Sequence, residues 1–209
     1  MFVLQLTQQS LSIPQMIARY RDADRFLAFC RDCKNYGVRW SCPPLNFDPL
    51  AYLGGFGAVC ILGAKVIFTP QAIEQADTQE KVWAVTRQTL GPVKEALCQS
   101  LLELEALYPG CRSLFVGGCE HCSNCARSLG QPCAHPERMR YSLDALGFDL
   151  SALTSDLLGI ELLWAKDSLP AYYTLINGFL LPEGCSLPGQ ELIDALARGL
   201  RSQGFSLSQ

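Results

Sequence analysis

Charge is scarce in this chain. Asp, Glu, Lys and Arg make up 18% of its 209 residues, and the formal net charge is only −3. That balance carries no signature of a nucleic-acid or membrane-surface partner. Histidine is almost missing, with two residues, His121 and His135. No Ser-His-Asp or Cys-His-Asn arrangement can be assembled from the pattern. Long hydrophobic runs are absent too. The longest clean one, Ala58 to Ala64, is far too short to span a bilayer. The opening MFVLQLTQQSLSIPQM has neither a basic n-region nor a small-residue cleavage site, so it does not read as a secretory leader. Gly54 to Gly57 lacks the GK[ST] ending of a phosphate loop. The expectation is a soluble cytoplasmic protein with no nucleic-acid or membrane partner.

What is present is apolar mass and cysteine. Hydrophobic residues reach 49%, enough for a substantial core and against disorder. The length suits a single domain, 1–209, with cysteine-rich segments at 29–44 and 117–140 inside it. The eleven cysteines are odd in number, so complete pairing within one chain is impossible. Seven fall into two clusters, Cys30/Cys33/Cys42 and Cys119/Cys122/Cys125/Cys133, while Cys60, Cys98, Cys111 and Cys185 are scattered. Clustered thiols at short spacing point to metal rather than to bridges in a reducing compartment.

The organising stretch is GGCEHCSNCARSLGQPCAHPERMR. Cys119, Cys122 and Cys125 recur every third residue, and seven residues separate Cys125 from Cys133. Three evenly spaced thiolates on one loop can reach three corners of an iron–sulfur cube, and a fourth can close it. Zinc usually takes two separated cysteine pairs, which this run lacks. The reading is a [4Fe-4S] site, with zinc, or packing and disulfide roles, as the alternatives. The run differs from the ferredoxin pattern, in which three residues separate the last two cysteines and proline follows the last.

The first cluster lies in FCRDCKNYGVRWSCPP. Cys30-x-x-Cys33 is a compact chelating pair, and Cys42 precedes Pro43-Pro44. Gly37 offers a turn. A thioredoxin-like redox pair would sit at a strand-to-helix junction, and no apolar strand precedes Cys30. With three thiols, a second cluster would need another protein ligand for its fourth iron, or would leave that iron open to a substrate. Arg31, Lys34 and Arg39 are close enough in sequence to offset cluster charge.

The remaining pattern predicts an α+β domain: a sheet of about four strands covered by helices, with a cysteine-rich metal-binding lobe at one end. Strands are expected at 58–68, 111–116, 160–165 and 172–181. Helices are expected from Pro14 to about Leu27, at 71–90 and 92–108, from Pro136 to Leu146, at 149–158, and from about 189 to 200. Residues 1–13 mix polar and apolar positions and carry no element assignment, and 46–57 read as loop and turn. The stripe Val93, Leu97, Leu101, Leu104, Tyr108 follows a helical period. Strand 58–68, the long helix and strand 111–116 suggest a parallel βαβ crossover. A helix starting at Pro136 would turn its positive end toward the second motif. Cys98 reads as a small buried hydrophobe. Arg127, Arg138 and Arg140 read as solvent-facing, and Asp144 and Asp149 make no catalytic pair.

The pieces FCRDCKNYGVRWSCPP, LLELEALYPG, GGCEHCSNC, GQPCAHPERMRYSLDALGFDL and YYTLI together resemble a widespread prokaryotic family of small predicted metal-binding proteins, labelled a domain of unknown function. The likeness runs from about Phe29 to Phe179. It implies metal binding, of iron–sulfur type, through Cys119, Cys122, Cys125 and Cys133, and it carries the CxxC…CPP motif onto Cys30, Cys33 and Cys42. It supplies no activity. Three functions follow as expectations: an iron–sulfur protein with one or two [4Fe-4S] clusters passing electrons to a redox partner protein or cofactor, an enzyme with a site-differentiated second cluster, or a zinc-stabilised binding module.

Overall fold

The computed structural model describes residues 1–185 and 187–208. Four strands form one sheet: β1 (Phe2–Ser12), β2 (Ala58–Phe68), β3 (Arg112–Leu114) and β4 (Tyr172–Leu181), in the order β1-β2-β4-β3. Every neighbouring pair is antiparallel. β2 and β3 therefore point the same way with β4 inserted between them. The crossover expected from the sequence is present but split, and β2 does not pair with β3.

Alternation in β2 and β4 explains a sheet covered on both faces. Cys60, Leu62, Ala64 and Val66 lie opposite Phe179, Asn177, Leu175 and Tyr173. Their apolar members pack on the first core, with α5 (Gln79–Leu107) and α7 (Gly189–Ser202). Val59, Ile61, Ile176 and Leu180 face the other side. There they meet α1 (Ile13–Tyr20), α3 (Pro49–Leu53) and α6 (Leu150–Leu158) in a second core around Met16, Leu53 and Phe148. Two short helices, α2 (Ala23–Arg31) and α4 (Pro70–Gln75), complete the set.

Several expectations are corrected. Residues 2–12, to which the sequence pattern assigns no element, form an eleven-residue strand, because Phe2 through Ser12 pair along the whole of β2. Their mixed pattern suits an edge strand whose partner provides the register. Residues 160–165 form no strand. Ile160 is instead a buried anchor after the Gly159 helix stop. The first helical stretch breaks into α1 and α2 at Arg21, where Asp22 starts afresh by accepting the Arg25 N–H with its side chain (3.2 Å). Residues 49–53 form a helical turn capped by Asp48. Pro92 sits inside the single helix α5, which is continuous from Gln79. Of the predicted stripe, Val93, Leu97, Leu101 and Leu104 are buried, as is Cys98. Among the described residues, no helix is long and apolar enough to cross a membrane.

Candidate metal centre

Strand β3 is short because the chain leaves the sheet immediately after Leu114. The Phe115 N–H donates to Tyr141 O (2.8 Å) and the Val116 N–H to Asn177 Oδ1 (3.0 Å), which replaces the lost ladder bonds. Gly117 then adopts φ 61°, a turn that suits glycine, and delivers Cys119. The side chains of Cys119, Cys122, Cys125 and Cys133 all line one small cavity, together with Trp40 and Met139. Each of the four is partly exposed and none is bridged. Burial pushes the Cys119 thiol up. The His121 amide opposes this, and the nearby thiols of Cys133, Cys122 and Cys125 add to the rise.

Among the described residues, no three Cys, His, Asp or Glu side chains stand close enough to grip a single metal ion. A zinc ion at about 2.3 Å from each sulfur would draw its thiolates to within about 3.8 Å of one another. An iron–sulfur cluster takes one thiolate per iron over a larger body. Four thiols around one cavity are a donor set that either group could take.

The segment after Cys133 differs from expectation. Residues 136–138 form a turn, and the only helical piece before Gly147 is a 3-10 turn, Asp144–Leu146. The helix whose positive end was expected to face the motif does not form. The cause is Arg140, expected in solvent but only 5% exposed. Its guanidinium binds both oxygens of Glu105 on α5 (2.8 and 2.6 Å). It also donates to the carbonyls of Glu137 and Met139 (2.8 Å each), which takes the acceptors a helix would need.

The first motif folds onto the second. Cys30 lies in the last turn of α2, so the pair sits at a helix C-terminus and not at a strand-to-helix junction. Gly37 makes the expected turn (φ 69°), its N–H donating to Pro43 O (2.8 Å), and the Pro43–Pro44 bond is cis. Burial pushes the Cys30 thiol up to about 11, with the Asp144 carboxylate the next influence and Cys42 and Cys33 after it. Cys42 is likewise raised by burial and eased by Ser41, with Asp144 and Cys33 adding to the rise. The seven motif cysteines thus form the two groups expected from sequence, each with its own neighbours.

Between the groups runs a clasp that sequence reading missed. Buried Ser41 Oγ accepts the Cys119 N–H (2.8 Å), and the Arg39 guanidinium donates to Cys119 O. Arg127, also expected in solvent, donates to the carbonyls of Arg39 (2.9 Å), Cys42 (2.7 Å) and Pro44 (2.6 Å). Trp40 Nε1 donates to Gln131 O (3.0 Å). Gly118 makes room for this contact: a Cβ there would lie 3.4 Å from Cys42 Sγ and 3.2 Å from Asn35 Nδ2. Of the three cations expected to offset cluster charge, only Arg39 is turned inward, while Arg31 and Lys34 are exposed.

A larger cavity, about 780 Å³, opens on the other side of Cys119 against α5. Lys94, His121, His135 and Arg138 border it. Lys94 Nζ donates to Gly118 O (2.8 Å) and pairs with Glu120 (3.1 Å). His121 packs on Phe115 and has a ring nitrogen 3.1 Å from Arg138 O. Burial lowers its pKa, which favours the neutral ring. His135 is exposed.

No curated protein and no solved structure matches the chain. A family model does, over residues 17–177, which include both cysteine motifs and the strands and helix that carry them. The chain belongs to that family, DUF2284, described as a predicted metal-binding protein.

Proposed function

We propose that this is an iron–sulfur redox protein in which Cys119, Cys122, Cys125 and Cys133 hold a [4Fe-4S] cluster that exchanges single electrons with a partner protein or a cofactor. The carrying observation is that these four cysteines line one cavity. Such a cluster, when bound, supplies one-electron transfer at a potential set by charge, hydrogen bonds and exposure. The chain's own residues tune that setting. Arg39 and Lys94 place positive charge at the carbonyls of Cys119 and Gly118, on either side of the loop. Eleven unpaired cysteines suit a reducing compartment such as the cytoplasm.

A second centre on Cys30, Cys33 and Cys42 is favoured by a specific observation. The segment that leads to Cys42 is clasped against the four-cysteine loop through Ser41, Arg39 and Arg127. Two centres so placed would form a short relay.

The test is metal and labile-sulfide analysis of anaerobically purified full-length protein, with an optical spectrum. Roughly four irons per chain indicates one cubane, roughly eight indicates two. Cys122→Ser should remove about four irons and their visible absorption. A colourless protein that contains zinc and no sulfide would overturn the iron–sulfur reading.

A further inference from the structure

The three-cysteine group has a neighbour that its sequence spacing does not announce. Asp144 lies over a hundred positions from Cys42, yet the fold brings it to a cavity that Cys30 also borders. The segment 144–149 docks on the α1–α2 junction: Arg21 Nε donates to Leu146 O (2.9 Å), the Asp22 N–H to Gly147 O (2.9 Å) and the Asp149 N–H to Tyr20 O (2.8 Å). Asp144 and Cys30 then border one cavity of about 290 Å³, with Pro43 and Pro44 beside Cys42 and with Arg21.

One of its oxygens, Oδ1, is sealed from solvent and has no hydrogen-bond partner. Among the described residues, the other side-chain atoms in that condition are hydroxyls, of Tyr20, Thr89 and Thr174. A buried carboxylate oxygen without a donor is costly and calls for a cation or a metal. Three thiolates beside it would add more negative charge than Arg21 and Arg39 can balance. A multiply charged metal centre would balance it.

We propose that Asp144 supplies the fourth, oxygen ligand of a [4Fe-4S] cluster held by Cys30, Cys33 and Cys42. The proposal rests on the reading above that these three cysteines bind a cluster. It makes that centre fully protein-ligated, a relay for electrons with no iron open to substrate. Oxygen ligation at one corner also makes the two clusters of the chain chemically unequal.

Three variants of the full chain, purified without oxygen, test it by iron count and by the electron paramagnetic resonance spectrum of the reduced protein. Cys42→Ser should fall from about eight irons to about four, which establishes the second centre. Asp144→Ala should either drop to about seven irons, as a three-iron cluster, or keep them and respond spectrally to an added thiol, while the wild type does not respond. Asp144→Cys covers a failure of the alanine variant to fold. It should keep about eight irons and shift the spectrum, because sulfur replaces oxygen. If Cys42→Ser loses iron but Asp144→Ala keeps every iron and ignores the thiol, or Asp144→Cys matches the wild-type spectrum, Asp144 is not a ligand and the second centre survives. If the wild type holds about four irons and Cys42→Ser changes nothing, the second centre itself is refuted, and the proposal with it.

Discussion

Arg127 shows how one side chain can hold two distant motifs together. Its guanidinium caps three carbonyls of the first motif from a position between the cysteines of the second. Charge-assisted bonds of this kind contribute more than neutral ones. Arg127→Ala should destabilise the protein by about 1–3 kcal/mol. Amide exchange should quicken across residues 39–44 well before it does in the sheet. Arg127→Lys keeps the charge but not the fork, so it should recover only part of the loss. Equal exchange rates in the wild type and the alanine variant would contradict the clasp. Arg140 makes the same kind of link between the cysteine loop and α5. Because its partner Glu105 is also sealed, with a side chain 9% exposed, removing either leaves a buried charge alone. Glu105→Ala should therefore cost about 3–5 kcal/mol, read by denaturant unfolding.

That pair also carries a pH dependence. Burial raises the Glu105 pKa, but hydrogen bonds from Arg140 and Ser113 outweigh it, and the net shift is downward. A carboxyl whose folded pKa is depressed stabilises the fold above its unfolded value of about 4.3. The contribution disappears as pH falls through the lower folded value. Wild-type stability should thus decline below about pH 4.3 more steeply than that of Glu105→Gln, measured as the unfolding midpoint against pH.

At the level of elements, the decisive joint is where residues 144–149 meet α2. Gly147 has φ 89°, and a Cβ there would lie 2.9 Å from Ala23 Cα. Gly147→Ala brings both backbone strain and a clash, an expected loss of about 1–3 kcal/mol. It should also move Asp144 away from Cys30. The protein should then show the iron count or the thiol response expected of Asp144→Ala, and wild-type behaviour in both would separate the joint from the site. Gly63 marks a different joint, between β2 and its covering layer. A Cβ there would sit 2.8 Å from Leu158 Cδ1 and 2.9 Å from Thr7 Oγ1. Gly63→Ala should lower stability by a similar amount with no effect on iron.

For the whole molecule, the two apolar cores and the cysteine lobe are separate bodies. Neither core contains any of the seven motif cysteines; Cys60, Cys98, Cys111 and Cys185 are the cysteines that pack there. Burial pushes Cys98 up to about 12 and Cys60 to about 11, which favours the neutral thiol in both. Stripping metal with chelator and oxidant should therefore leave the far-ultraviolet circular dichroism of the sheet and long helix nearly intact. Protection from exchange should be lost at 30–44 and 117–140. Global unfolding on metal removal would mean that the lobe, and not the cores, holds the fold.

By itself the sequence determined the partition of its cysteines, the two long inner strands, the long helix stripe and the family. Each of these rests on local periodicity or on ligands a few residues apart, where spacing alone limits geometry. Tertiary structure decided what depends on pairing across long separations. The edge strand 2–12 needed β2 to give it a register, and β4 inserted itself between β2 and β3. The turn at 136–138 replaced a helix because a buried arginine claimed its carbonyls. Asp144 reached the three-cysteine group only because the second core docks its loop there. A charged residue in a polar-looking stretch carries no local mark of burial. Its partner, found in space, is what turns Arg127 or Arg140 from surface decoration into structure.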